Sequence, residues 1–153
     1  MPKTEDCFFL DTNIVMYAIG KKHPYKKPCM VTLKRVEEEL IRVVINVEVL
    51  QEVLHRYLSL GKPHAATIAF VALKDLCEEV LPVLERDMDL ALQILQESPQ
   101  ITVRDAVHAA TMRNNGLSKI ISTDKHFDAV KGISRLDPAD LINSQDQESH
   151  SKG

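Results

Sequence analysis

What the chain lacks sets its first bounds. It has no run of about 18 apolar residues, and Met1 to Asp6 is short and charged, so neither a membrane span nor a secretory signal is expected. A cytoplasmic protein is the corresponding expectation. Cysteines number only three, Cys7, Cys29 and Cys77, odd in count and far apart. With no His or Cys at metal-ligand spacing, they read as buried or idle thiols in a reducing compartment. Excess positive charge is missing too. A net charge of -3 gives no global attraction to nucleic acid, so polyanion binding would need a local basic patch or bridging cations. No internal repeat and no second domain are evident.

What is present fits one soluble globular domain. The 153 residues are 44% hydrophobic and 27% charged, enough to bury a substantial core. Residues 1–143 are expected to form the domain, and 144–153 a polar, disordered tail. Phe8-Phe9-Leu10 ends abruptly in Asp11 and an amphipathic pattern follows at once, so a buried strand at about 7–10 runs into a helix that stops near Gly20. Lys21 to Pro28 is a basic, proline-bounded loop, and a helix follows from about Cys29 to Leu40. Arg42 to Asn46 is a β-branched strand. Asn46 caps a helix that runs to Gly61.

Helices are expected again from Pro63 to about Cys77, from Glu85 to Glu97, and from a Thr102 cap through Asn115-Gly116. Glu79 to Leu84 contains a proline and therefore reads as an edge strand. Strands at 118–122 and 132–136 follow, and Pro138 opens a last short helix. Strands alternating with helices imply an α/β fold, a parallel sheet with helices on both faces.

The acids stand out against this pattern. Asp11 closes the first strand, Glu52 lies early in the helix after the second, Asp105 is in the first turn after Thr102, and Asp124 follows the fourth strand. In a parallel sheet these positions share one edge, the edge where ligands bind. Four crowded carboxylates would raise one another's pKa, a penalty that a divalent cation removes. Carboxylates without thiolates suit Mg2+ or Mn2+ rather than zinc. Such ions share their coordination with phosphate, which points to phosphodiester chemistry. Lys21, Lys22, Lys26 and Lys27 would give a basic rim for the flanking backbone.

Each acid also has a plainer role open to it. Asp11 fits a helix cap, Asp105 a helix N-terminus, Asp124 a turn and Asp128 the surface. Glu48 and Glu52 share a helix face, so either fits the site. His108, beside Ala109 and Ala110, reads as packed or partly exposed rather than as a general base, and His126 as a surface residue. A phosphotransferase of the haloacid dehalogenase type needs a second Asp where this chain has Asn13. The acidic pair of a receiver domain is absent.

Leu10-Asp11-Thr12-Asn13, Asn46-Val47-Glu48-Val49-Leu50-Gln51-Glu52-Val53-Leu54, Val103-Arg104-Asp105-Ala106-Val107-His108-Ala109-Ala110 and Ile121-Ser122-Thr123-Asp124-Lys125-His126-Phe127-Asp128 resemble, in order and spacing, the four motifs of PIN-domain nucleases. The resemblance spans about residues 7 to 142. It implies a Rossmann-like three-layer fold with sheet order 3-2-1-4-5 and Mg2+- or Mn2+-dependent endoribonuclease activity on RNA, often in a homodimer. By position it assigns Asp11, Glu52, Asp105 and Asp124 as the metal-binding, catalytic acids, Asp128 as a fifth, and Asn13 and Ser122 as supports. Many such proteins resemble VapC-type toxins, which a small antitoxin neutralises by laying its tail in the acidic groove. The long basic segment from Gly20 to Leu40 departs from that toxin pattern. Solitary RNA-processing PIN proteins, PIN-like RNA-binding scaffolds and structure-specific DNA nucleases share the same or a related fold.

Overall fold

The computed structural model describes residues 7–141. The expected tail at 144–153, like Met1 to Asp6, lies outside them. Five strands alternate with six helices: β1 (Cys7–Leu10), α1 (Thr12–Ile19), α2 (Lys26–Glu37), β2 (Arg42–Asn46), α3 (Val47–Ser59), α4 (Pro63–Leu76), β3 (Val80–Leu81), α5 (Glu85–Glu97), α6 (Val103–Asn114), β4 (Lys119–Ile121) and β5 (Ser134–Leu136). A short 3₁₀ helix, Lys125–Ala129, separates β4 from β5, and residues 138–141 are helical as Pro138 suggests. All pairings are parallel and the order is β3-β2-β1-β4-β5, as the resemblance implies. Among the described residues, no helix is long and apolar enough to cross a membrane.

The central strand explains the shape. Phe9 pairs in register with Val44 on one side and Ile120 on the other, and Phe9 and Leu10 are wholly buried. A strand covered on both faces reads as a continuous apolar run, which is what β1 and the Val43-Val44-Ile45 stretch of β2 are. Pro82 ends β3 after two residues, which confines it to the edge. Cys29 and Cys77 remain free thiols whose pKa burial pushes up to about 12, so neither is a nucleophile at neutral pH.

Helix ends follow local chemistry where it is strong. Asn46 Oδ1 accepts from the Val49 N–H at 3.0 Å, and its Nδ2 donates to Thr111 Oγ1 at 3.2 Å, so one buried side chain both caps α3 and ties it to α6. Thr102 caps α6 through the Asp105 N–H at 3.1 Å. Gly61 and Gly116 take positive φ just beyond α3 and α6, a region glycine enters without strain.

The second helix departs from expectation at both ends. It starts at Lys26 rather than Cys29 because Pro28 falls in its first turn, where a missing N–H costs nothing. It stops at Glu37 rather than Leu40 because Glu39 turns left-handed at φ 61, letting the Leu40 N–H reach back to Arg35 O at 2.9 Å. The loop between α1 and α2 is correspondingly shorter than the Lys21 to Pro28 span.

Candidate active site

Asp11 begins the site. It occupies the cap position of α1, yet its side chain makes no capping bond. Instead Oδ2 accepts from Ser122 Oγ at 2.6 Å and from Asn13 Nδ2 at 3.1 Å, with the residue 5% exposed. The plain capping role is therefore not the one it plays. The Asp11 N–H still bonds Ile121 O, so β1 and β4 deliver Asp11 and Ser122 side by side. Ser122 Oγ also accepts from the Asp124 N–H at 3.0 Å, and Asn13 Oδ1 from the Thr123 N–H at 3.4 Å. Asn13 and Ser122 thus stitch the end of β1 to the end of β4.

Glu52 enters from α3. Thr12 Oγ1 donates to its Oε2 at 2.7 Å, and Arg104 Nη1 stands 3.3 Å from Oε1. Burial raises its pKa, but the neighbouring His108, the Thr12 hydroxyl and Arg104 pull it below the ordinary carboxylate value. Asp105 comes from the first turn of α6. Burial first, then Asp124 and Asp11 beside it, push its carboxyl up to about 8. Burial likewise raises Asp11, against the pull of His108 and of the Ser122 hydrogen bond. Asp124 follows β4, and its Oδ1 accepts from the His126 N–H at 2.9 Å, capping the 3₁₀ helix.

The four acids meet. Asp11, Glu52, Asp105 and Asp124 line one cavity of about 170 Å3 together with Asn13, Met16, Arg56, Thr102 and Arg104. Glu48, which shares the α3 face, is not among the lining residues. Neither is Asp128, whose two carboxylate oxygens accept from Arg135 at 2.9 and 3.2 Å. Lys21, Lys22 and Lys27 are exposed and stand outside the cavity, while Lys26 Nζ donates to Gly20 O at 2.6 Å.

Three neighbours escape the sequence reading, Thr12, Arg56 and Arg104, and a fourth, His108, is packed as that reading has it but also stands beside the acids. The signal for His108 is its spacing, three residues after Asp105 and hence on the same helix face. It is wholly buried, its ring 5.2 Å from Phe9, and neither ring nitrogen has a hydrogen-bond partner among the described residues. Nε2 lies 3.8 Å from Glu52 Oε2, too long for a hydrogen bond. One His108 nitrogen, one Asp11 oxygen and one Glu52 oxygen lie within 4.8 Å of one another. Crowded carboxylates, one of them driven to hold its proton, beside an unsatisfied buried imidazole, fit a divalent cation.

A family model described as PIN domain matches residues 8–133. The chain belongs to the PIN-domain family. Ribonuclease VapC13 of Mycobacterium tuberculosis is 35% identical to this PIN domain over 127 residues, spanning 83% of this chain and 97% of that protein. Among solved structures it resembles M. tuberculosis VapC20, described as a sarcin-ricin loop cleaving toxin, with TM-score 0.64 and 21% identity over 80% of this chain and 93% of that one. A toxin-antitoxin complex from Klebsiella pneumoniae gives TM-score 0.61 and 16% identity over 86% and 97%. At such identities these likenesses are of the fold, and the fold is the PIN arrangement of a parallel five-stranded sheet.

Proposed function

We propose that this PIN domain is an endoribonuclease that hydrolyses RNA phosphodiester bonds at the acidic cavity, with Mg2+ or Mn2+ held by Asp11, Glu52, Asp105 and Asp124. The observation that carries the reading is the meeting of four carboxylates, from four separate segments, around one cavity of about 170 Å3. A bound divalent ion would supply Lewis acidity toward the scissile phosphate and lower the pKa of water. The protein's own part is orientation. Ser122 and Asn13 fix Asp11, Thr12 and Arg104 fix Glu52, and the Thr102 cap sets the first turn of α6 that carries Asp105.

Substrate charge is met by cations around this acidic centre. Arg56 and Arg104 line the cavity and present guanidinium groups suited to phosphate oxygens. Lys21, Lys22, Lys26 and Lys27 extend that reach to the flanking backbone. In-line hydrolysis in such a site leaves 5′-phosphate and 3′-hydroxyl ends. The names of the relatives support a toxin role, in which a small antitoxin covers the cavity and two copies of the chain pair. Exposed Leu54 and Leu58 on α3 and Ile68 and Val71 on α4 offer apolar surface for those contacts.

A panel of RNA and single-stranded DNA incubated with Mg2+, Mn2+ or EDTA tests the activity. RNA cleavage that needs the metal is the expected result. Cleavage of DNA alone would favour a DNA nuclease, and binding without cleavage a scaffold.

A further inference from the structure

Between Asp11 and Glu37 the chain has no acid, yet it carries Lys21, Lys22, Lys26, Lys27, Lys34 and Arg35. In a protein of net charge -3 this is a local reversal of sign. Lys21, Lys22 and Lys27 are exposed, and no carboxylate pairs with them among the described residues. The same segment holds three rings in mutual contact. Ring centroids are 4.6 Å apart for Tyr17 and His23, 5.4 Å for Tyr17 and Tyr25, and 6.0 Å for His23 and Tyr25, the last two rings lying within 11° of parallel.

Two of the rings are locked. Tyr25 Oη donates to Asp137 Oδ2 at 2.9 Å, and His23 Nδ1 accepts from the Tyr25 N–H at 3.1 Å. Pro24 between them restricts the backbone further. His23 is nevertheless exposed. An aromatic group held rigid at the surface has already given up the freedom that a ligand would otherwise have to remove.

Hydrogen bonds tie the cluster to the acidic cavity. Asp137 Oδ2 also accepts from Arg135 Nη1 at 3.0 Å, Arg135 Nη1 donates to Ser122 O at 3.0 Å, and Ser122 Oγ donates to Asp11 at 2.6 Å. On the other side Tyr17 follows Met16, which lines the cavity. The rings and the carboxylates therefore belong to one end of the sheet, and Lys21, Lys22 and Lys27 adjoin the rings in the chain.

We propose that Tyr17, His23 and Tyr25, bordered by Lys21, Lys22 and Lys27, form a stacking platform for an unpaired base of single-stranded RNA, the lysines following its backbone. The inference rests on the ribonuclease reading and adds the surface that receives the strand. Aromatic faces beside lysines suit single strands, whose unstacked bases are free to lie on a ring, while a duplex keeps its bases stacked inside. Stacking needs no base-edge hydrogen bond, so the platform selects unpaired RNA without selecting a sequence.

The test is a fluorescence titration of a short RNA carrying 2-aminopurine, single-stranded or in duplex, with Mg2+ present and Asp11→Asn throughout to prevent cutting. The expected result is tighter binding of the single strand, with quenching of the fluorophore. Adding His23→Leu should weaken single-strand binding roughly tenfold and relieve the quenching. His23→Phe should restore most of both, and melting temperatures should not move. Lys21→Ala with Lys22→Ala should lower the salt slope of binding by roughly 2 and keep the quenching. Equal affinity and quenching for His23→Leu, equal binding of duplex, or no RNA binding at all would overturn the platform. RNA cleavage by protein with Asp11 intact separates the two claims. Cleavage alongside a failed titration removes the platform alone, and a working platform without cleavage removes the nuclease.

Discussion

The depression where the strands begin, about 880 Å3 and bounded by Glu37, Glu39, Asp75 and Glu78, is larger than the 170 Å3 cavity where they end, and it too is rich in acids. The difference lies in solvation. At the first, the four carboxylates are exposed, and Glu78 is clamped by Arg42 Nε at 2.5 Å and Nη2 at 2.6 Å, an ion pair that holds its carboxyl below the usual range. At the second, Asp11 and Asp105 are buried, their neighbours include other acids, and both carboxyls are pushed up. Exposed acids are stable without a ligand because water screens them. Buried, crowded acids are not, and that excess is what suits the smaller cavity to a cation.

The largest expected contrast is in activity. Asp11→Asn, Glu52→Gln, Asp105→Asn or Asp124→Asn should each lower RNA cleavage about a hundredfold or more, since each removes a group proposed to hold the ion. Glu37→Gln and Asp75→Asn, in the larger depression, should leave the rate unchanged. Cleavage of one labelled RNA under identical metal concentrations measures both. A comparable loss in Glu37→Gln would erase the distinction.

Next in size is the response to metal. An ion that binds only the folded chain stabilises it by about 2.7 kcal/mol at a hundredfold excess over Kd, or roughly 5–10 °C for a domain of this length. Thermal melts should show that rise with Mg2+ or Mn2+ in the wild type and in Glu37→Gln, and little of it in Asp11→Asn or Asp105→Asn. Without metal, Asp11→Asn should be as stable as the wild type or more so, because it removes a buried charge.

The two depressions should also oppose each other in pH. Asp105 titrates near 8 in the folded chain against an ordinary 3.8, so the folded state keeps a proton that the unfolded state has already lost. Its contribution to metal-free stability is full below about pH 4 and is lost as pH rises toward 8. Asp105→Asn should flatten that decline in urea melts taken between those limits, and added metal should reverse it. Glu78 has the opposite sign: its lowered pKa adds stability above the ordinary carboxylate range and loses it as pH falls. That contribution is the smallest expected, under about 1 kcal/mol, because the pair lies at the surface, partly open to solvent. Glu78→Gln melts at pH 3 and pH 7 read it.

The sequence exposes those features whose cause is local. Asn46 and Thr102 are caps because of their own side chains, Gly61 ends α3 because of its own backbone, and Asp11 stands out because an apolar strand stops at it. The meeting of Asp11, Glu52, Asp105 and Asp124 at one edge then follows from parallel topology, while the order of the strands comes only with the resemblance to PIN domains. Features that depend on distant partners stay hidden. Glu39 ends α2 in a left-handed conformation that a sequence would assign to glycine. Asp128 looks like its neighbour Asp124 until Arg135 is seen to claim both its oxygens. His108, beside Ala109 and Ala110, reads as ordinary packing, and only the fold sets its bare nitrogens against Glu52.

Anomalous diffraction from crystals grown with Mn2+ gives the sharpest answer. The account predicts a peak in the small cavity, within coordination distance of Asp11 and of at least one of Glu52, Asp105 and Asp124, and none among Glu37, Glu39, Asp75 and Glu78. Crystals saturated with Mn2+ that show an empty small cavity, or a peak only at the larger depression, would contradict it.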